Sequence, residues 1–490
     1  MHIIDIFVFM AYFAGMLGIG IYFFRKNKNV EDYYIGGRSL GSWHIGLSVV
    51  ATDVGGGFSI GLGGLGFAIG ISGSWMLFTG LIGAWVSAVL LIPIITRLSA
   101  KHKFFTFPQI FEHFYNDRVA LIAGIISAIG YIGFTSSQLL AGAKLASATF
   151  EEINLTTALI IMGVIAVIYT GIGGLKAVIY TDTIQWIILM SGLIFIGIPI
   201  AYVAIGGIDA IKETIGHEFI SLTNVTWQQL VNWAVTIIPI WFVGMTLYQR
   251  MYASKSEKQA KKAWFIAGIF EWPLMAFMGV TLGMFSRVAF ENGMFAELGY
   301  QVNSVIDAEI GLPVLLNTVL PAGLMGLMLS AFFSAILSTA DSCLMAASGN
   351  VQTDILGKLF NLKQDTKSQL RVSQIITLTI GTMAILLASY MTNVLELMLY
   401  SYAFMVSGLF IPILAALYGK RPNALAATLA MIIGGTTTVA LVVADIPLPF
   451  NLDANIFGIT ASTLVYFSVD FLWKTGRRVQ HLQGAVSSKN

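Results

Sequence analysis

The sequence is poor in cysteine and in charge. Its one cysteine, Cys343, lies inside an apolar run, so no disulfide framework is available and the redox compartment cannot be read from it. Only 11% of the 490 residues are charged against 57% apolar, and mean hydropathy is +0.81. That balance excludes a water-soluble core. No GxxxxGK[ST] phosphate loop occurs, so any uphill work must draw on an ion gradient or a separate subunit. The six histidines show neither HExxH nor paired spacing, which argues against a transition-metal site. Nothing calls for a nucleic acid or an obligate protein partner. The bilayer is the partner that composition demands.

What the sequence does have is apolar runs of membrane-crossing length, recurring from Ile3 to Trp473. We read an all-α polytopic membrane protein with thirteen spans: 4–24, 43–70, 74–97, 119–149, 155–173, 182–205, 229–250, 262–287, 313–347, 370–391, 394–418, 424–443 and 453–473. The whole chain, 1–490, is expected to form one transmembrane domain, with a basic tail at 474–490 and no attached soluble module.

Basic residues set the expected orientation. Arg25, Lys26 and Lys28 follow the first span, opposite to a secretory signal, so it is a retained helix. The expected cytoplasmic connections hold most of the rest, among them Arg38, Arg97, Lys101, Lys103, Arg250, Lys255, Lys358 and Lys420. Lys212 and Arg287 fall outside, and Lys144 is expected to snorkel from a helix end. The bias predicts an odd number of crossings, N-terminus out and C-terminus cytoplasmic, in a plasma membrane or, in a prokaryote, the inner membrane.

The second span is irregular: Ala51-Thr52-Asp53-Val54-Gly55-Gly56-Gly57-Phe58 puts an acid and three glycines at its middle. Glycine is costly inside a helix unless the backbone bends or approaches something closely. Tight packing explains the later Gly-xxx-Gly pairs but not Asp53, so an unwound, site-forming segment is expected there. Five spans later Pro239 and Gly244 interrupt 229–250. Two broken helices at corresponding positions suggest inverted repeats, 43–205 and 229–418, with a site at the midplane.

Acids inside apolar spans are expensive and point to function. Asp53, Asp182 and Asp341 stand out, although Asp182, at the start of its span, could simply favour the helix dipole. Ala335, Ser338, Thr339 and Ser342 share one helix face, with Asp341 at its border. Hydroxyls and carboxylates are hard oxygen ligands for a cation, while Ser and Thr can also merely bond backbone carbonyls. Carbonyls opened at Ala51 and Val54 would complement them, and mostly neutral oxygens suit sodium better than calcium. Glu271, Glu396 and Asp445 are read as structural, Glu271 as a group that satisfies freed backbone beside Trp272-Pro273.

At Ala51 to Trp85, Ile168 to Gln185 and Leu329 to Asp354 the chain resembles the sodium:solute symporter family over nearly its whole length. The resemblance implies ten core helices in five-plus-five inverted repeats, with one helix before them and two after. It implies a main sodium site from the Ala51, Val54 and Ala335 carbonyls and the Ser338 and Thr339 hydroxyls, with Asp53 in sodium coupling. A second sodium, or a proton, would fall on Asp182, Ser338, Asp341 and Ser342. Ala51-Thr52-Asp53 and Gly70 to Trp75 look like the proline/sodium symporter branch, whereas Val54 to Gly57 and Ser338 to Ser342 look like the choline branch. The tryptophan expected of choline carriers is replaced by Asp53, and the arginine of sialic-acid members by Phe134. Gly55, Phe58, Phe134, Gln138 and Trp241 are pocket candidates by position.

The expected function is therefore not enzymatic: sodium-coupled import of a small organic solute by alternating access, a proline-like amino acid first. A monocarboxylate, vitamin, quaternary amine or sugar are the alternatives. An intramembrane aspartyl protease, which also uses membrane-embedded acids, lacks its GxGD signature here. A transporter-shaped sensor would need a signalling module.

Overall fold

The computed structural model describes residues 2–26, 35–150, 152–173, 175–302, 304–360 and 366–487. Within them the chain is helical, and its one β-type contact is an isolated bridge between Leu40 and Ser254. The main helices are α1 (Ile3–Lys26), α2 (Ser42–Gly56), α3 (Gly63–Ile69), α4 (Trp75–Leu90), α5 (Asp117–Thr149), α6 (Leu155–Gly173), α7 (Leu175–Gly192) and α8 (Trp227–Val243). They continue with α9 (Met245–Ala253), α10 (Glu257–Ile269), α11 (Ala276–Glu291), α12 (Leu324–Gly349), α13 (Thr366–Ala388), α14 (Val394–Tyr418), α15 (Ala424–Ala444) and α16 (Ala454–Ser487). Eight helical stretches among the described residues are long and apolar enough to cross a membrane, and α8 with α9 makes a ninth, bent by 44°.

At the centre stands α12, almost wholly buried and packed by α1, α2, α5, α7 and α13. Small residues make this crowding feasible, because Gly326, Ser330, Ala331, Ser334, Ala335 and Ser338 let neighbouring backbones come close. A Cβ on Gly326 would lie 2.5 Å from the Asp5 backbone. Asp5 Oδ1 in turn accepts from the Gly323 and Gly326 amides at 2.6 and 2.8 Å. An acid of α1 thus satisfies orphan donors at the start of α12 and docks the first helix on the bundle.

Breaks occur where backbone chemistry demands them. At Gly55 (φ 43°, ψ −127°) α2 leaves helical geometry, and a π-turn over Gly57–Leu62 leads into α3. Only glycine reaches that φ without strain. Gly244 (ψ 111°) separates α8 from α9, but Pro239 stays within α8 without breaking it. A third break, at the kink expected beside Trp272-Pro273, lies between α10 and α11: a π-turn at Phe270–Met275, with Trp272 non-helical and a cis Trp272-Pro273 bond.

Several expected boundaries move. The 313–347 span divides at Leu320–Gly323 into a short helix, Gly311–Val319, and α12. The helix holding Asp182 starts at Leu175, so that acid sits two turns inside it and is no N-terminal dipole partner. The tail continues α16 as helix to Ser487. Lys144 does not snorkel: it is buried and donates to Asp307 (2.5 Å) and Glu309 (2.6 Å). Glu309 also accepts the Val394 and Leu395 amides, both at 2.9 Å, so this strut clamps the start of α14 to the end of α5.

The two ends of the bundle differ in charge. At one, Leu40 pairs with Ala253 and Lys255, Arg38 donates to Ser99 and the Phe104 carbonyl, and Lys358 bridges Glu112 and Asp117. At the other end of α2–α3, near Ile69, a cavity of about 910 Å³ is lined by Glu396, Asp445 and Asp453 and by no lysine, arginine or histidine.

Candidate functional site

The α2 break faces α5 and α12. The freed Gly56 amide donates to Gln138 Oε1 at 2.6 Å, so Gln138, expected in the solute pocket, instead completes the broken backbone. A Cβ on Gly55 would sit 2.5 Å from Thr339 Oγ1 and 2.7 Å from Gln138 Oε1. Gly55 is therefore required both for its φ and for close approach to α12.

Directly opposite, Thr339 Oγ1 lies 3.0 Å from the Ala51 carbonyl oxygen and 3.1 Å from that of Ala335. One hydroxyl proton serves both. Three of the five oxygens expected around a sodium ion thus lie within one hydrogen bond of each other, on α2 and α12. The Ser338 hydroxyl donates to Asp182 Oδ1. Side chains of Val54 and Phe58 lie outside the described residues, as do those of Tyr169 and Gly171 to Gly174 from the α6–α7 motif.

Behind this face is a compensated acid. Asp182 is fully buried; its Oδ2 accepts from Ser48 Oγ at 2.5 Å and stands 3.8 Å from Arg250 Nη2. Arg250 was expected in a cytoplasmic connection. It is instead fully buried at the end of α9, donating to Ser48 (3.2 Å), Thr52 (2.5 Å), Ser342 (3.0 Å) and the Thr246 carbonyl (3.2 Å). The hydroxyls and Asp182 offset the cost of burying a guanidinium. Of the second constellation, Ser342 thus faces Arg250, and Asp341 Oδ1 accepts from Thr170 at 2.5 Å, with Oδ2 unpartnered. Sequence reading missed Arg250 because its neighbours Gln249 and Lys255 made the segment look like a helix end.

On the other side of α2, Asp53 is half-buried and receives Tyr402 Oη at 3.3 Å on both its carboxyl and its carbonyl. Phe134 meets Tyr402 edge-on, with ring centroids 5.0 Å apart. Across from Asp53, at hydrogen-bonding range, is the Glu271 carboxyl, fully buried; two carboxyls this close share a proton, through which Glu271 donates to Asp53, and no backbone amide donates to Glu271. Its expected role at the kink, satisfying freed backbone, is therefore not what it does. Gly80 makes room for it, since a Cβ there would lie 2.0 Å from Glu271 Oε2, and Gly83 one turn on makes room for the Trp241 ring. Trp241 is fully buried with its indole N–H unpartnered.

The family model described as the sodium:solute symporter family matches residues 33–434. The osmoregulated proline transporter OpuE of Bacillus subtilis is 28% identical, covering 87% of this chain and 86% of that protein. The sodium/proline symporter of Salmonella typhimurium is 30% identical over 88% of this chain and 86% of its own. In structure the chain is similar to a Na+-coupled sialic acid symporter in a substrate-bound outward-open state, with a TM-score of 0.77 and 22% identity, covering 95% and 97% of the two chains. A multi-pass helical bundle broken at Gly55 beside a hydroxyl-bearing helix, matched over 33–434 by one family model, belongs to the sodium:solute symporter family, whose members are transporters and not enzymes.

Proposed function

We propose that this protein is a sodium-coupled symporter importing a small organic solute by alternating access. The observation that carries this reading is the convergence of the Ala51 and Ala335 carbonyls on the Thr339 hydroxyl at 3.0 and 3.1 Å, across a break in one helix and the face of another. With Ser338 and the Val54 carbonyl these neutral oxygens form the main sodium site, suited to one positive charge. External sodium bridges α2 to α12, holds the outward-open bundle, and completes the solute site on the Asp53 side. Rocking of the bundle then opens the other end.

The finer architecture belongs to the same proposal: thirteen spans, inverted repeats 43–205 and 229–418, and the basic end facing the cytoplasm. At the second constellation Arg250 already supplies a positive charge between Asp182 and Ser342, so the reading favours one sodium per cycle. At a membrane potential of about 100 mV one inward charge contributes roughly 2.3 kcal/mol. A tenfold sodium gradient adds about 1.4 kcal/mol, and together they sustain accumulation on the order of several hundredfold. The proline relatives support a proline-like amino acid ahead of a monocarboxylate, vitamin, quaternary amine or sugar.

Uptake into proteoliposomes tests this. Accumulation that requires an inward sodium gradient and collapses when lithium- and sodium-free choline-free buffer replaces it is the expected result. Uptake indifferent to sodium, across a wide solute panel, would end the reading.

A further inference from the structure

Going beyond the symport reading but resting on its assignment of spans, we propose that the cavity between α1, α6, α7 and α12 is a second binding site, for a lipophilic amine that enters from the bilayer. The cavity holds about 450 Å³, within the roughly 300–1,000 Å³ of small-molecule sites. None of its described lining residues belongs to α2, α8 or α14, so it is separate from the Asp53 side where the solute is proposed to bind. Only Ser338 links it to the proposed sodium face. Its walls are hydrocarbon, aromatic and thioether: Met10, Phe13 and Met16 of α1, Val164 and Ile165 of α6, and Leu337 of α12. Met10, Val164 and Ile165 are exposed on the protein surface. Both of the helices that carry them are apolar and among the proposed spans, so this mouth opens on lipid rather than on water.

The inner end of the cavity is polar and unfinished. Asp341 and Gln185 line it and are only 1% and 4% exposed. Asp341 Oδ1 accepts from Thr170 at 2.5 Å, while its Oδ2 has no partner. Gln185 Oε1 has none either. Two hydroxyls of the lining are already committed, since Thr181 donates to the Val178 carbonyl and Ser338 to Asp182. No lysine, arginine or histidine is among the described lining residues. Buried acceptors left unmet are costly, and inside a membrane they point to a group that binds there. Both oxygens want a donor, and an ammonium brings several, with the charge that balances a carboxylate. An alcohol brings one donor and a carboxylate none. A bare metal ion would leave the apolar walls unfilled, whereas an amine on a compact hydrocarbon body uses both halves of the site.

The probes are 1-aminoadamantane, adamantan-1-ol and adamantane-1-carboxylate, which share one rigid apolar body and differ only in the head group. Thermal unfolding of the full-length protein in phosphatidylcholine nanodiscs reads their binding, because a ligand of the folded state raises its stability. The amine is expected to bind about tenfold or more tightly than the alcohol, and the carboxylate not at all. Asp341→Asn keeps an acceptor for Thr170 but turns an amide donor to the cavity; it should weaken the amine about tenfold and leave the alcohol within about threefold. If that variant does not fold, Ala14→Trp, at an exposed position of α1 that lines the cavity, fills the space from the lipid side and should abolish binding of amine and alcohol alike. Equal affinity for the three head groups, no binding of the amine, or an amine affinity unchanged in either variant would overturn the inference. So would stabilisation by sodium alone that Asp341→Asn removes while the amine has no effect, which would give the acid to a metal ion. Failure of sodium-driven uptake in proteoliposomes would count against symport and leave these binding readouts standing.

Discussion

Thr52 and Asp53 are consecutive on α2, yet they serve opposite kinds of acid cluster. Thr52 accepts from Arg250 in a network where Asp182 has a guanidinium and two hydroxyls to balance it. Asp53 turns the other way, to the Tyr402 hydroxyl and to the Glu271 carboxyl, with no basic side chain in an ion pair with either acid among the described residues. Both clusters are interior, both rest on α2, and both put carboxyls where water is scarce. The first, balanced by a guanidinium, ties α2, α7, α9 and α12 together, while the second is held by a proton shared between two carboxyls and by one phenol. A fixed cation makes a joint; a proton between two carboxyls can exchange.

Four measurements break or sharpen this contrast. The largest effect is expected at the joint: Arg250→Ala strands a buried Asp182 and should destabilise the protein by about 3–5 kcal/mol. Thermal unfolding in detergent checks it, and adding Asp182→Asn should recover much of the loss. If the single substitution proves neutral, the compensated cluster is no joint. Next comes Gly55→Ala, which places a Cβ 2.5 Å from Thr339 Oγ1 at a φ of 43°. Sodium-driven uptake should fall at least about tenfold, or ~1.4 kcal/mol, with folding retained; wild-type uptake would show that the break does not position the ion face.

Smaller is Thr339→Ala, which removes the hydroxyl shared by the Ala51 and Ala335 carbonyls. The sodium concentration for half-maximal transport should rise about fivefold, near 1 kcal/mol, with solute affinity at saturating sodium unchanged. Smallest is the effect of Glu271→Gln on stability alone. The amide still donates to Asp53 in place of the shared proton, so stability should change by less than about 1 kcal/mol. A larger fall in unfolding temperature would mean that Glu271 is a joint as Asp182 is and would erase the difference between the clusters.

Much of this was legible in the sequence, and the misses share a cause. The glycine triplet beside Asp53 announced the α2 break, because glycine inside a helix needs a reason. Gly244 likewise marked the bend between α8 and α9. The face of α12 followed from i, i+3 and i+4 spacing, and the structure puts Ala51, Ala335 and Thr339 together. By contrast Arg250, Lys144 and Glu271 were all misjudged. Arg250 and Lys144 looked like surface cations near helix ends, and Glu271 like local repair at a kink. What decided each was a partner far away in the chain: Asp307 for Lys144, 163 positions on, and Thr52 for Arg250, 198 positions back. The bond of the Gly56 amide to Gln138, 82 positions apart, is of the same long-range kind.

Composition, apolar run length and helical periodicity therefore determined by themselves that this is a helical membrane protein, about where its helices lie and which hydroxyl face to watch. Those properties are local, repeated every few residues, and need no knowledge of what packs against what. Tertiary structure alone decided which interior charges are balanced. A carboxylate reads the same in sequence whether a guanidinium or a second carboxyl stands opposite, and in a medium of low polarity that one neighbour separates a cation-locked joint from a pair that shares a proton.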